Sequence, residues 1–283
     1  MSEKCQPPRP ERAIIGSMDS TATPLPLFDL PSVPADVPTL PQPAAAPHSA
    51  ALPALAGLDW PALYEELDRE GVAVTPPLLT AEQCAELADT FDRPGLFRST
   101  VVMERHGFGR GTYKYYADLD AVPLVRALRE SLYPPLARLA NHWAAQLGER
   151  SFPGTLGELT AECAAHGQHR PTPLLLRYGA GDHACLHQDV YGELVFPLQI
   201  AILLDRPDQD FTGGESVFVE QRPRSQSRAI VRRPGQGQGL VFPVRHRPVR
   251  GPHGFQRHPM RHGTNTVTTG RRRVLGVIFH NAV

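Results

Sequence analysis

The strongest constraint on the fold lies after Pro171, where helical periodicity stops and five short apolar or alternating runs follow one another: LLLRYG, LVFPLQIAILLD, SVFVE, GLVFPV and RRVLGVIF. Gly, Pro and Asp separate the runs. Several short strands with turn signals between them predict a sandwich or barrel, not an alternation of strands and helices. Upstream the pattern is mostly helical. Asp59 can cap a helix that carries Pro61 in its first turn and ends at Gly71. Val72 to Val74 read as a short strand. Thr80 and Gln83 form a capping-box pair in front of AEQCAELADTF. Residues 121–148 read as helical, with Pro134-Pro135 starting a second helix after a break, and a further short helix is expected over 156–165. The fold class expected is α+β, a double-stranded β-helix (jelly roll) with N-terminal flanking helices.

This pattern divides the chain into three parts. Residues 1–56 hold 12 prolines, many alanines and no apolar periodicity, a composition that cannot bury enough surface to offset its ordering entropy, so a disordered leader is expected there. Residues 57–171 are expected to form a helical flanking region, and 172–283 the jelly-roll core. No run approaches the ~18 apolar residues of a membrane span, and no apolar stretch follows the first charges, so neither a membrane partner nor a secretory signal is expected. Four scattered cysteines without a CxxC pair point to a reduced, cytoplasmic protein, with Cys185 read as a small buried residue. Nothing in the sequence fixes an oligomeric state.

Formal net charge is zero, but residues 221–283 carry 13 arginines and no acidic residue. Such a segment either pairs with acidic surface from the first part of the chain or forms a positive funnel for an anionic substrate.

The chemistry centres on His187-Gln188-Asp189. In a strand, residues i and i+2 point to the same face, so both side chains can reach one metal ion. Around this HxD stand Tyr178, nine residues earlier, the turn Phe211-Thr212-Gly213-Gly214-Glu215-Ser216, and His262-Gly263. Val267, Gly270 and Arg272 follow His262 at plus five, plus eight and plus ten.

In that order and spacing, residues from about 172 to 283 resemble the catalytic domain of 2-oxoglutarate and iron(II)-dependent dioxygenases, in the prolyl-4-hydroxylase-like branch. VAVTPPLLTAEQC resembles the strand and helix that precede this domain. More narrowly, the layout resembles a bacterial group of oxygenases described as acting on damaged DNA. The resemblance implies a cupin-like jelly roll, an iron(II) site at His187, Asp189 and His262, and 2-oxoglutarate and O2 as co-substrates, with ascorbate as a possible reductant. Among His246, His253, His258 and His262, only His262 has a cation ten residues on.

Two imidazoles and one carboxylate on one face of iron(II) leave three positions free, two for the keto acid and one for oxygen. The distal carboxylate of 2-oxoglutarate would pair with Arg272, whose planar fixed charge suits a buried carboxylate, while Tyr178 would donate a hydroxyl to the same group. The reaction implied is hydroxylation with release of succinate and CO2. A protein or peptide side chain is the leading substrate class, oxidative demethylation of alkylated DNA or RNA the second, and a non-catalytic cupin-like metal binder the third reading. The segments 105–116 (RHGFGRGTYKYY) and 245–261 (RHRPVRGPHGFQRHPMR) are expected as loops lining a substrate groove, with Arg245, Arg247 and Arg250 best placed for phosphates.

Overall fold

A computed structural model describes residues 52–283. The disordered leader expected over 1–56 therefore lies outside the described residues as far as position 51. Residues 52–56 already belong to the folded part: α1 (Pro53–Ala56) brings Leu52 and Leu55 against the main core.

The helices form where their signals stand. In α2 (Trp60–Glu70) the Asp59 side chain accepts from the Ala62 amide at 3.0 Å, and Gly71, at φ 78°, closes the C-terminus. After β1 (Ala73–Pro77) comes α3 (Ala81–Asp89), whose Thr80–Gln83 capping box has both bonds made. The strands β2 (Phe97–Val102), β3 (Gly109–Arg110) and β4 (Thr112–Tyr116) follow, then α4 (Pro123–Leu147) and α5 (Leu156–Ala165). The break expected at Pro134-Pro135 is absent, and α4 runs through both prolines. Each internal proline costs about 3 kcal/mol. Burial of Leu128, Leu132, Tyr133 and Leu136 on the same helix offsets that cost, at roughly 1.5–3 kcal/mol per side chain.

The rest is β: β5 (Leu174–Gly179), β6 (His183–His187), β7 (Leu198–Leu203), β8 (Phe211–Gly213), β9 (Ser216–Glu220), β10 (Arg228–Arg232), β11 (Gln238–Pro243), β12 (His246–Gly251), β13 (Gly254–Thr264) and β14 (Val267–Ile278). One sheet runs β1-β11-β7-β14-β5-β4-β2 with β8 attached to β14, and the other runs β10-β9-β13-β6-β3 with β12 attached to β13. Every pairing between two of these strands is antiparallel. The two sheets face one another as a jelly roll.

The centre of the larger sheet is buried on both faces. On β7, Leu198, Ile200 and Ile202 join the core formed with α2, α3, α4 and α5, while Ala201 and Leu203 pack among the residues between the sheets. This explains why LVFPLQIAILLD reads as a continuous apolar run without polar alternation.

Three expectations change here. The region 57–171 is not only helical: it supplies β1, β2 and β4 to the larger sheet and β3 to the smaller. Residues 109–116 pair with β2, β5 and β6 instead of forming a loop. Residues 246–264 form a β12–β13 hairpin, paired from His246↔Pro259 to Gly251↔Gly254. In both segments backbone pairing overrides a polar, glycine-rich sequence that carries no period-two signal.

Candidate metal centre and its cavity

His187 is the last residue of β6 and sits opposite His262 of β13, which puts the two rings 4.3 Å apart. Gly263 makes this approach possible, because a Cβ there would lie 2.6 Å from the Ala184 carbonyl. Asp189 follows just beyond the strand end. His262 Nε2 lies 3.1 Å from Asp189 Oδ2, and His187 Nε2 lies 3.6 Å from Asp189 Oδ1. One ligand atom from each residue falls within 4.8 Å of the others, so the three could hold one metal ion. The other histidines point elsewhere: His246 meets Glu149 at 3.1 Å, His258 faces Glu220 at 3.5 Å, and His253 is exposed at the hairpin tip.

The donor set fits a divalent metal. His187 Nδ1 lies 2.8 Å from the Cys185 carbonyl; a carbonyl only accepts, so Nδ1 carries the proton and Nε2 keeps its lone pair for a metal. Burial, then the neighbouring His187, pushes the His262 imidazole down, which keeps it neutral. Burial would lift the Asp189 carboxyl, but the two imidazoles hold it well below the usual carboxylate range. Burial would lower His187, yet the Asp189 carboxylate raises it, so a proton on this ring competes with a metal. Two imidazoles and a carboxylate match the donor set of non-haem iron(II) oxygenases.

The three residues line a cavity of about 330 Å³ between the sheets. Its wall also holds Tyr178 and Arg272, both buried. Arg272 Nη2 donates to Ser216 Oγ at 3.1 Å, its Nε has no partner, and its guanidinium lies 5.7 Å from the Tyr178 ring centre. No ion pair among the described residues involves Arg272. A buried guanidinium without a carboxylate carries a desolvation cost that an anionic ligand would relieve. The Gly213-Gly214 pair makes room for it. Gly214 sits at φ 64°, and a Cβ there would lie 2.9 Å from Arg272 Cδ. The pair is not a hairpin turn, since β8 pairs with β14 and β9 with β10 and β13.

Other cavity groups carry no sequence signal of their own. Tyr191 donates to Asp189 Oδ1 at 2.6 Å, and Tyr115 donates to the Tyr191 hydroxyl at 3.0 Å. Gln199, on the cavity wall, is 3% exposed and its amide nitrogen has no partner. Cys185 is not the buried residue expected from its small size: it is exposed on the cavity wall. Phe108 and Leu186 line the cavity and remain about two-fifths exposed, which makes its mouth apolar. Of the arginines expected at phosphates, Arg245 and Arg250 are exposed. Arg247 is not available, because it is buried against Glu220 and donates to the Asp68 carbonyl.

The fold has known counterparts. A crystal structure of prolyl 4-hydroxylases from Phytophthora capsici superposes with a TM-score of 0.50 at 15% identity, covering 84% of this chain and 68% of that one. An oxidoreductase of the 2OG-Fe(II) oxygenase family from Burkholderia pseudomallei gives 0.48 at 16% identity, covering 79% and 93%. By sequence, the uncharacterized proteins Rv2227 and MT2286 of two Mycobacterium tuberculosis strains are each 49% identical over 160 residues, 56% of this chain and 69% of theirs. The family model Oxygenase-NA, described as an oxygenase catalysing oxidative methylation of damaged DNA, matches residues 111–282. With more than half of its length matched, the chain belongs to the Oxygenase-NA family of oxygenases.

Proposed function

We propose that His187, Asp189 and His262 ligate iron(II), that Arg272 anchors the distal carboxylate of 2-oxoglutarate, and that the substrate is a damaged base in nucleic acid. In this reading residues 172–283 are the catalytic core and 57–171 buttress it. The observation that carries the co-substrate assignment is the buried, carboxylate-free Arg272 on the wall of the cavity that the three ligands share. Iron(II) and 2-oxoglutarate together would supply the oxidation, turning O2 and the keto acid into succinate, CO2 and one oxygen atom inserted into a substrate C–H bond. The chain's own residues do the rest. The neutral His262 and the ionised Asp189 present lone pairs, Arg272 and Ser216 fix the co-substrate's orientation, and the apolar walls exclude bulk water. Tyr178, stacked beside the guanidinium, supports the same anion. On an N-methyl group, the inserted oxygen would give a hydroxymethyl adduct that leaves as formaldehyde.

Nucleic acid is favoured over a peptide by the description of the family and by the surroundings of the mouth. Gln188 on the cavity wall donates to the Arg245 and Met260 carbonyls, at 2.7 and 2.8 Å. This brings the backbone of the exposed Arg245 to the wall of a cavity whose opening Phe108 and Leu186 line. Cations around an apolar, aromatic opening suit a flipped base and its phosphates. The test is succinate and formaldehyde release with iron(II), 2-oxoglutarate and either a methylated single-stranded oligonucleotide or its unmethylated counterpart. Stimulation by the methylated strand alone is expected. Stimulation only by a proline-bearing peptide pool would put protein hydroxylation first.

A further inference from the structure

Asp189 does not meet its neighbours alone. The Tyr191 hydroxyl donates to its Oδ1 at 2.6 Å, leaving Oδ2 turned to His262 Nε2 at 3.1 Å. Tyr191 is itself held on several sides. Tyr115 of β4 donates to its hydroxyl oxygen at 3.0 Å and packs edge-on against its ring. The Arg98 guanidinium of β2 sits 4.6 Å over the Tyr115 ring and donates to the Pro171 carbonyl at 3.1 Å. The backbone is pinned as well. Gln168, fully buried, donates to the Tyr191 and Leu194 carbonyls and accepts from the Leu194 amide.

On the reading that His187, Asp189 and His262 hold the metal, we propose that Tyr191 is a positioning residue that keeps Asp189 a one-oxygen ligand. A carboxylate free to rotate can present both oxygens to a metal and take up a coordination position that a chelating keto acid and O2 need. A hydroxyl that occupies Oδ1 leaves Oδ2 as the ligand and fixes the carboxylate plane. Because Tyr115 takes the remaining lone-pair direction of the Tyr191 oxygen, that hydroxyl proton has one favoured acceptor, Asp189. The flanking strands β2 and β4 thereby reach the metal through two phenols.

The experiment uses the full chain, with Mn(II) binding followed by calorimetry and the visible spectrum of the Co(II) form recorded with and without 2-oxoglutarate. Tyr191→Phe keeps the ring and removes the hydroxyl. It is expected to weaken Mn(II) binding 10–100-fold and to shift the Co(II) bands toward a higher coordination number, while the metal-free melting temperature stays near wild type. Tyr115→Phe leaves the Tyr191 hydroxyl in place and is expected to give the same change at several-fold smaller size. If Tyr191→Phe fails to fold, Tyr115→Phe decides. Wild-type Mn(II) affinity and an unchanged Co(II) spectrum in the folded variants would overturn the inference. No Mn(II) binding by the wild type would instead overturn the metal assignment on which it rests.

Discussion

Strand β9 carries a buried arginine partner near each of its ends, and the two ends are chemically opposite. At Ser216 the buried Arg272 finds only a hydroxyl. Four residues on, about 13 Å along the strand, Glu220 meets the buried Arg247 at 2.5 Å and is flanked by Arg228 at 3.3 Å and Arg222 at 3.5 Å. The same ion thus has its counter-charge built in at one end and lacks it at the other. The Glu220 end is a structural clamp that ties β9, β10 and β12 together, and through Arg228 and Arg247 also reaches Glu70 and Asp68 of α2. On the proposed reading, the Arg272 end takes its anion from outside the chain.

The sharpest way to break this comparison is to swap which end is disturbed. Glu220→Gln leaves the buried Arg247 guanidinium without its carboxylate and should cost about 3–5 kcal/mol of folding stability. Arg272→Met removes an uncompensated buried charge and should leave stability unchanged or higher. The same variant should weaken 2-oxoglutarate binding by at least tenfold, since a hydrogen-bonded charge pair contributes about 1.5–3 kcal/mol, without altering metal binding. Denaturant unfolding and co-substrate titration of both variants check this. Equal destabilisation by the two substitutions would show that Arg272 is also structural.

A third buried cation-former, His280, separates the two cases by pH. It is fully buried, neither ring nitrogen has a partner, and burial pushes its pKa down to about 4, against the smaller upward pull of Asp189. The folded state therefore favours the neutral ring, while the unfolded chain takes up a proton near pH 6.5. Between those values the unfolded state binds more protons, so stability rises with pH across the window. The contribution is complete above about pH 6.5 and is lost as pH falls towards 4, in total ~3 kcal/mol at 1.36 kcal/mol per unit. Unfolding free energies measured from pH 7.5 to 4.5 should show this slope, and His280→Gln should flatten it. A slope equal in both proteins would assign the acid sensitivity to other groups.

The same contrast explains how far the site could be read from the chain. His187 and Asp189 are linked by their two-residue spacing, whereas His262 and Arg272 are singled out through the resemblance to a known family; the structure places all four on one cavity wall. The jelly roll is recoverable because its strands are short apolar runs between Gly and Pro. Tyr115 and Tyr191 lie 76 positions apart, and no period links them, so only the tertiary fold brings them together. Glu220 and Arg247 fail for the same reason, which is why Arg247 looked like a free phosphate contact. The 109–116 and 246–264 strands stayed hidden because their stabilisation comes from ladder pairing, to which Arg, Gly and Pro give no local signal.

The smallest effect concerns the arginines that no carboxylate holds. Arg245, Arg250 and Arg261 are exposed and have no ion-pair partner among the described residues, in contrast to Arg228, Arg233, Arg257 and Arg273, which are paired with Glu70, Asp208, Glu149 and Asp205. Six of the 13 arginines after residue 220 are thus held by carboxylates within the fold, and only the rest remain for phosphates. Binding to single-stranded DNA should therefore be weak, with a salt slope near −2, at about −0.7 per contact. Replacing Arg245, Arg250 and Arg261 together with alanine should remove most of that slope. Replacing Arg257 should leave it within about one contact of wild type, because that guanidinium already serves Glu149. If the triple variant keeps the full slope, the nucleic acid runs over another face; if the wild type shows no slope at all, these cations do not read phosphate and a peptide regains the first place.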